Sequence, residues 1–273
     1  MARIGYQGEP GAYSDEAVLS LFPAAESTGF PTFARVFDAL LAAEIEAAVL
    51  PVENSLEGIV QGVNDLLWSR EGVRITAEQL RPVRHCLLGR GEPILRALSD
   101  PQALAQCSRF LTERGIKPVA FGDTAGAARA VSEGMVAGSG AIASAAAGRR
   151  YGLNILAEGI EDDSSNQTRF VVVSRGEPDR PGAPGLNKTS LAFIGAHRPG
   201  SLASALRCFA DGGVNLTRLD SRPIRERPWQ YRFYVDIEVA DPAAAATALA
   251  ALEADAHEVK IFGTYPAAAA PQP

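Results

Sequence analysis

Ala47-Ala48-Val49-Leu50-Pro51-Val52-Glu53-Asn54-Ser55-Leu56-Glu57-Gly58 is an apolar run that ends abruptly in acid, amide and hydroxyl side chains. The run is too short for a helix and is bounded by turn formers, so it reads as a strand buried on both faces. A strand of that kind belongs to a mostly parallel sheet with helices packed above and below. Working outward, residues 3–7 read as a strand and 12–21 as a helix. Residues 59–68 read as a helix with Ile59, Val63, Leu66 and Leu67 on one face. Residues 73–88 read as extended, 93–114 as helical, 117–121 as a strand and 126–133 as a helix. Strands over 140–144 and 167–174 complete the alternation, which argues an α/β fold with a parallel, doubly wound sheet.

The stretch Arg175-Gly176-Glu177-Pro178-Asp179-Arg180-Pro181-Gly182-Ala183-Pro184-Gly185 is dense in Gly and Pro, which favours a linker over a helix or strand. Beyond it the pattern restarts as strand, helix, two strands, helix, strand, with Pro242 at the first turn of the second helix. This βαββαβ order is that of a ferredoxin-like unit. The expected organisation is a first domain over 1–176, with crossings between two lobes near 73–88 and 160–170. A linker over 177–187, a second domain over 188–266 and a tail over 267–273 follow.

Composition narrows the function. With 26 Lys and Arg against 32 Asp and Glu the formal charge is −6, so a broad cationic surface for nucleic acid is not expected. Three scattered cysteines, Cys86, Cys107 and Cys208, suit buried apolar roles in a reducing compartment better than disulfides. Residues 1–5 lack a signal-peptide core and no run of about 18 apolar residues occurs, so a cytoplasmic protein without a membrane partner is expected. His85, His197 and His257 match no metal-ligand spacing, and His85 reads as a structural histidine inside an extended stretch. Neither a dinucleotide nor an ATP fingerprint is present, so neither metal nor cofactor is expected.

The chemistry gathers instead at strand-end turns. Gly8-Glu9-Pro10-Gly11-Ala12-Tyr13-Ser14 joins a strand to a helix, where free N–H groups attract anions. Glu53, Asn54 and Ser55 sit at the carboxyl end of the buried strand, where open α/β sheets place ligands. Ser99 and Asp100 precede a helix that carries Gln106, and Thr124 opens another. Each of these residues also suits a helix cap. In Asn166-Gln167-Thr168-Arg169-Phe170 strand alternation sends Thr168 and Phe170 to one face and Arg169 to the other. Together these turns make a pocket of neutral donors suited to an anion.

Several of these strings, in this order, resemble those of the prephenate dehydratase family with a C-terminal ACT regulatory domain. Gly8–Ser14 is similar to the family's G-P-x-G-[TS]-[FY]-S, with the proline displaced by one residue. Residues 51–58 resemble P-[IV]-E-N-S-x-x-G, and Thr168-Arg169-Phe170 matches T-R-F. Asp100-Pro101-Gln102 resembles H-P-Q with an acid in place of histidine. Pro199-Gly200-Ser201-Leu202 and Asp220-Ser221-Arg222-Pro223 stand where the ACT motifs G-A-L and E-S-R-P are typical. The resemblance covers the chain from about residue 3 to 265.

That resemblance implies a two-lobed catalytic domain of the type II periplasmic-binding-protein kind, followed by a βαββαβ ACT domain. It implies a carbon–oxygen lyase that turns prephenate into phenylpyruvate, water and CO2 in phenylalanine biosynthesis. It places Thr168, Asn54, Ser55 and Glu53 in the catalytic set, Thr168 as donor to the departing oxygen and Glu53 as support for its loop. Ser14, Ser99, Gln106, Thr124 and Arg169 fall in the substrate-binding set, Arg169 also as an ion-pair partner across the lobes. L-Phenylalanine is the implied effector, held by Gly200, Ser201, Leu202, Asn215, Leu216, Asp220 and Ser221 in a homodimer or homotetramer. With only Met1 and Ala2 ahead of the first strand, no fused upstream mutase is expected. The alternatives are an arogenate dehydratase and a non-catalytic two-lobed small-molecule sensor.

Overall fold

The computed structural model describes residues 1–91, 93–135, 138–182, 185–224 and 227–269. Residues 183 and 184 of the expected linker and 270–273 of the expected tail lie outside these. In chain order the elements begin with β1 (Arg3–Gln7), α1 (Tyr13–Leu21), β2 (Glu26–Phe30), α2 (Phe33–Leu41), β3 (Ala47–Asn54), β4 (Gly58–Ile59) and α3 (Gln61–Ser69). Then come β5 (Val73–Pro82), β6 (Cys86–Gly89), β7 (Arg96–Ser99), α4 (Pro101–Gln106), α5 (Ser108–Glu113), β8 (Lys117–Ala120) and α6 (Thr124–Ser132). β9 (Ser139–Ala143), α7 (Ala145–Tyr151), β10 (Asn154–Glu158) and β11 (Gln167–Arg175) complete the first part. The remainder is β12 (Lys188–Ile194), α8 (Ser201–Asp211), β13 (Leu216–Ile224), β14 (Arg227–Glu238), α9 (Pro242–Asp255) and β15 (Glu258–Tyr265).

The chain divides into two compact units, Met1–Val60 with Leu80–Phe170 and Gln61–Gln79 with Val171–Pro273. In the first unit β3 is the buried strand expected from its apolar run: residues 47–50 and Val52 are buried. It lies between β1 and the start of β11 in its sheet, with β1 parallel to both β2 and β3. A second sheet is ordered β10-β6-β9-β7-β8 and mixes parallel and antiparallel pairs. Period-two alternation divides its buried side chains: Cys86, Leu88 and Leu98 enter one apolar cluster, Leu87 and Ala97 the other. The single parallel sheet read from the sequence is therefore two sheets, each lobe with its own core. The chain passes from the first to the second at residues 83–85 and returns over 159–166, where Val83 N donates to Asn166 O at 2.9 Å.

The expected helix over 93–114 is corrected to β7, α4 and α5. Ala97, Leu98 and Ser99 are buried, and Asp100 then caps α4 by accepting from the amides of Gln102 and Ala103. Pro101 occupies the first helical position, where its missing N–H costs nothing. Cys86 and Cys107 are buried and Cys208 is partly so, all as free thiols. Burial pushes the Cys86 thiol up to about 11.

In the second unit β13, β14, β12 and β15 form an antiparallel sheet in that order, with α8 and α9 filling the βαββαβ pattern. Leu191, Phe193, Val235 and Ile237 pack with Phe209 of α8 and Leu249 of α9 on one face. The other face meets α3, a segment the sequence reading placed in the first domain. There Asp65 holds Arg222 at 2.9 Å, and the Arg232 guanidinium lies 4.1 Å from the Trp68 ring centroid. Among the described residues no helix is long and apolar enough to cross a membrane.

Candidate active site

In the first unit the turn after β1, the loop after β3, the starts of α4 and α6 and the beginning of β11 enclose a cleft of about 570 Å³. Of the residues singled out in the sequence, Ser14, Asn54, Gln106, Thr124 and Thr168 line it. Thr168 is the second residue of β11, and alternation places it and Phe170 on the cleft face, as the pattern predicts. The lining includes Glu57, Asp100 and Asp123 but neither Lys nor Arg among the described residues. An anionic ligand there must be held by neutral donors and backbone amides.

The geometry around Asn54 is fully determined. Its Oδ1 accepts from the amides of Leu56 and Glu57 at 3.0 Å each, which orients the side-chain amide. Its Nδ2 then donates to Asn166 Oδ1 at 2.8 Å and to Thr168 Oγ1 at 3.1 Å. Both amide hydrogens are used, so Asn54 positions Thr168 and has no hydrogen left for a carboxylate. Thr168 Oγ1 accepts in this pair, which leaves its own proton available to a ligand in the cleft. Ser55 Oγ accepts from Gln167 N at 2.9 Å and Ser55 N donates to Gln167 O at 2.8 Å, tying the β3 loop to the start of β11.

Other expectations are corrected. Ser99 is fully buried and donates to Ile142 O at 2.7 Å, so it holds two strands of the second sheet together and does not line the cleft. Arg169 is buried and its Nε lies 3.4 Å from Glu53 Oε2. These two residues lie on strands of one sheet, β3 and β11, so the ion pair does not cross the lobes, and neither residue lines the cleft. Asp123, and not Thr124, caps α6 by accepting from Gly126 N at 2.6 Å. Asp100 keeps its expected cap and also lines the cleft.

Two contributors were not marked as site residues in the sequence. Asn166 is buried between Asn54 and Gln106, donating to Gln106 Oε1 at 3.2 Å. His85, read as a structural histidine, lines the cleft with Nε2 3.0 Å from Gln106 Oε1 and Nδ1 2.9 Å from the Tyr13 hydroxyl. Their only sequence signals are positional: Asn166 lies two residues before Thr168, and His85 lies within the extended stretch 73–88. Burial lowers the His85 pKa below its ordinary 6.5, so its imidazole is neutral near pH 7. On acidification below 6.5 the unfolded chain takes up this proton first, so stability falls as pH drops from 6.5 toward the lowered folded value. Urea unfolding at pH 7.5 and 5.5 checks this: His85→Gln is expected to lose less stability across the interval than the wild type.

In the second unit the implied effector residues fall on different faces. Ser201 opens α8 and lines a cavity of about 250 Å³ with Gly195, His197, Tyr231 and Phe233. Gly200 supplies the left-handed N-cap at φ 82°, and Leu202 and Leu216 pack against the core of the helix-covered face. Asn215 donates to Glu238 at 2.8 Å. Ser221 pairs with Phe233 in register. Asp220 lies on the opposite face, where it holds Arg218 at 2.6 Å. A bulge between Leu216 and Arg218 reverses the alternation there.

Residues 4–178 match the family model described as prephenate dehydratase. The Arabidopsis thaliana protein named arogenate dehydratase/prephenate dehydratase 2, chloroplastic, is 41% identical over 279 residues, covering 97% of this chain and 72% of that one. Among solved structures, the prephenate dehydratase of Arthrobacter aurescens in complex with L-Phe superposes with a TM-score of 0.87 at 29% identity. It covers 97% of this chain and 90% of that one. The structure of GqqA, described as a novel type of quorum quenching acylases, superposes with a TM-score of 0.86 at 37% identity, covering 97% of this chain and 98% of that one.

Proposed function

Because the chain belongs to the prephenate dehydratase family, we propose that its cleft catalyses the decarboxylating dehydration of prephenate to phenylpyruvate, with Thr168 at the departing oxygen. The carboxylate carbon–carbon bond breaks, its electron pair moves through the ring, and the ring carbon–oxygen bond opens. CO2 leaves, the ring becomes aromatic, and the departing hydroxyl takes up one proton to form water. The observation that carries this reading is Thr168 Oγ1 accepting from Asn54 Nδ2 at 3.1 Å at the cleft wall, which leaves the hydroxyl proton available to a ligand. A threonine hydroxyl is a very weak acid, so it acts chiefly as an oriented donor to the charge that builds on the leaving oxygen. Ser14, Thr124 and the adjoining backbone amides are then the donors for the substrate carboxylates. Formation of phenylpyruvate from prephenate by the pure protein, followed by its absorbance in alkali, tests the assignment directly.

A second reading rests on the acidic lining. Arogenate differs from prephenate in carrying an ammonium group, and Glu57 and Asp100 supply carboxylates for it. The ratio of kcat/KM on the two substrates separates these readings. Acyl transfer, named for one similar structure, needs an activated nucleophile. Here the His85 ring is engaged by Tyr13 and Gln106, and Thr168 is held by Asn54.

The βαββαβ sheet suits the ACT assignment, with L-phenylalanine as effector and the cavity beside Ser201 as its seat. The functional assembly on this reading is a homodimer or homotetramer that acts in the cytoplasm. Equilibrium dialysis is expected to show phenylalanine binding to the wild type and its loss in Ser201→Trp, whose indole fills the cavity. An unchanged affinity in the variant would remove the effector from this place.

A further inference from the structure

Thr168 stands at the end of an unbroken path of side-chain hydrogen bonds that starts at a buried imidazole. His85 Nε2 meets Gln106 Oε1 at 3.0 Å. Asn166 Nδ2 donates to the same oxygen at 3.2 Å, and Asn166 Oδ1 accepts from Asn54 Nδ2 at 2.8 Å. The direction of every link follows from the previous one. Backbone amides fix Asn54 Oδ1, so its nitrogen must face Asn166 and Thr168. Asn166 must therefore present oxygen to Asn54 and nitrogen to Gln106. Gln106 takes that hydrogen on Oε1 while its Nε2 donates to Glu57 Oε1 at 3.3 Å. His85 then carries its proton on Nε2, and its Nδ1 faces the Tyr13 hydroxyl at 2.9 Å, whose one proton is shared with the Arg84 carbonyl at 2.8 Å.

We propose that Asn166 is a positioning residue for the dehydration: by accepting from Asn54 and donating to Gln106 it holds the amide that keeps the Thr168 proton aimed at the departing oxygen. This rests on the dehydratase reading above. Only a side chain with one acceptor and one donor at this spacing satisfies both neighbours. Asn166 is 1% exposed, so solvent cannot substitute for either bond. A carboxylate at this position would set an acceptor against Gln106 Oε1. Gln106 cannot turn to relieve that contact without setting its own oxygen against Glu57 Oε1. A protonated carboxyl reproduces both bonds, its carbonyl toward Asn54 and its O–H toward Gln106.

Asn166→Asp therefore separates positioning from simple packing. The ionisable groups around the site are Glu57 beyond Gln106, His85 with Glu161 on its backbone amide, Tyr13, and Asp163, whose carbonyl takes the Asn166 amide. Prephenate turnover is measured from pH 5 to 9 for the variant and the wild type together. The variant-to-wild-type kcat ratio is expected to fall about tenfold or more as the new carboxyl ionises, with KM within about threefold. A ratio that is flat with pH, whether near one or uniformly low, overturns the proposal. Should Asn166→Asp fail to fold, Asn166→Ala is compared by kcat and KM at one pH. A drop in kcat at constant KM supports positioning, and a rise in KM at constant kcat overturns it. Absence of turnover by the wild type at every pH refutes the dehydratase reading itself, a result distinct from both.

Discussion

Replacing Thr168 by alanine is expected to lower kcat on prephenate by about 10²–10⁴-fold, the range of a positioned proton donor, while substrate affinity stays within about tenfold. Asn54 Nδ2 donates to Thr168 Oγ1, so that bond does not use the hydroxyl proton, which stays available to a ligand in the cleft that Thr168 lines. In the ground state it meets a neutral hydroxyl. As the ring carbon–oxygen bond opens, that oxygen becomes anionic and the same contact strengthens. An interaction that grows along the reaction raises kcat more than it lowers KM. Removing it leaves the other donors of the cleft in place, so binding survives. Stopped-flow mixing or dialysis with prephenate, beside steady-state turnover, checks both halves.

Gly11→Ala is expected to destabilise the first unit strongly and to raise KM. Gly11 has φ +89°, and a Cβ there would stand 2.9 Å from the Ala147 Cα and 3.3 Å from its amide nitrogen. The left-handed backbone costs roughly 1–3 kcal/mol for a residue with a side chain, and overpacking against backbone costs about 1–3 kcal/mol more. The neighbourhood cannot yield cheaply. Ser144 Oγ donates to Gly11 O at 3.0 Å while capping α7, and Gly11 N donates to Asp15 Oδ2 at 2.8 Å. The displaced turn carries Gly8, Ala12, Tyr13 and Ser14 into the cleft wall, which is why binding suffers with stability. Urea unfolding and KM for prephenate measure the two effects. A wild-type midpoint with a wild-type KM would mean that this turn is looser than its contacts indicate.

Much of this arrangement is legible in the chain because local signals agree with the fold. The run from Ala47 to Val52 is buried as its composition demands, and it delivers Asn54 to the strand end. Pro101 and Pro242 open helices with Asp100 and Asp241 as caps. Alternation from Thr168 to Phe170 puts the hydroxyl and the ring on one wall and Arg169 behind them. What escaped reading was set by distant partners. Residues 96–99 are too short a run to announce a strand, and they become one by pairing with β8 and β9. Ser99 has the side chain of a ligand group, yet its partner is the carbonyl of Ile142, 43 residues away. The face on which Asp220 lies depends on one extra residue in β13, and such a bulge leaves no mark in a two-residue period. Asn166 acts through bonds to Asn54 and Gln106, 112 and 60 residues distant, so no local pattern distinguishes it from any polar loop residue.

The most direct measurement is kcat for prephenate in Thr168→Ser beside Thr168→Val. Serine keeps the hydroxyl, and valine keeps the shape without it. Serine is expected to retain turnover within about tenfold of the wild type, and valine to fall at least a hundredfold below it. Equal turnover in the two variants would contradict the donor role assigned to Thr168.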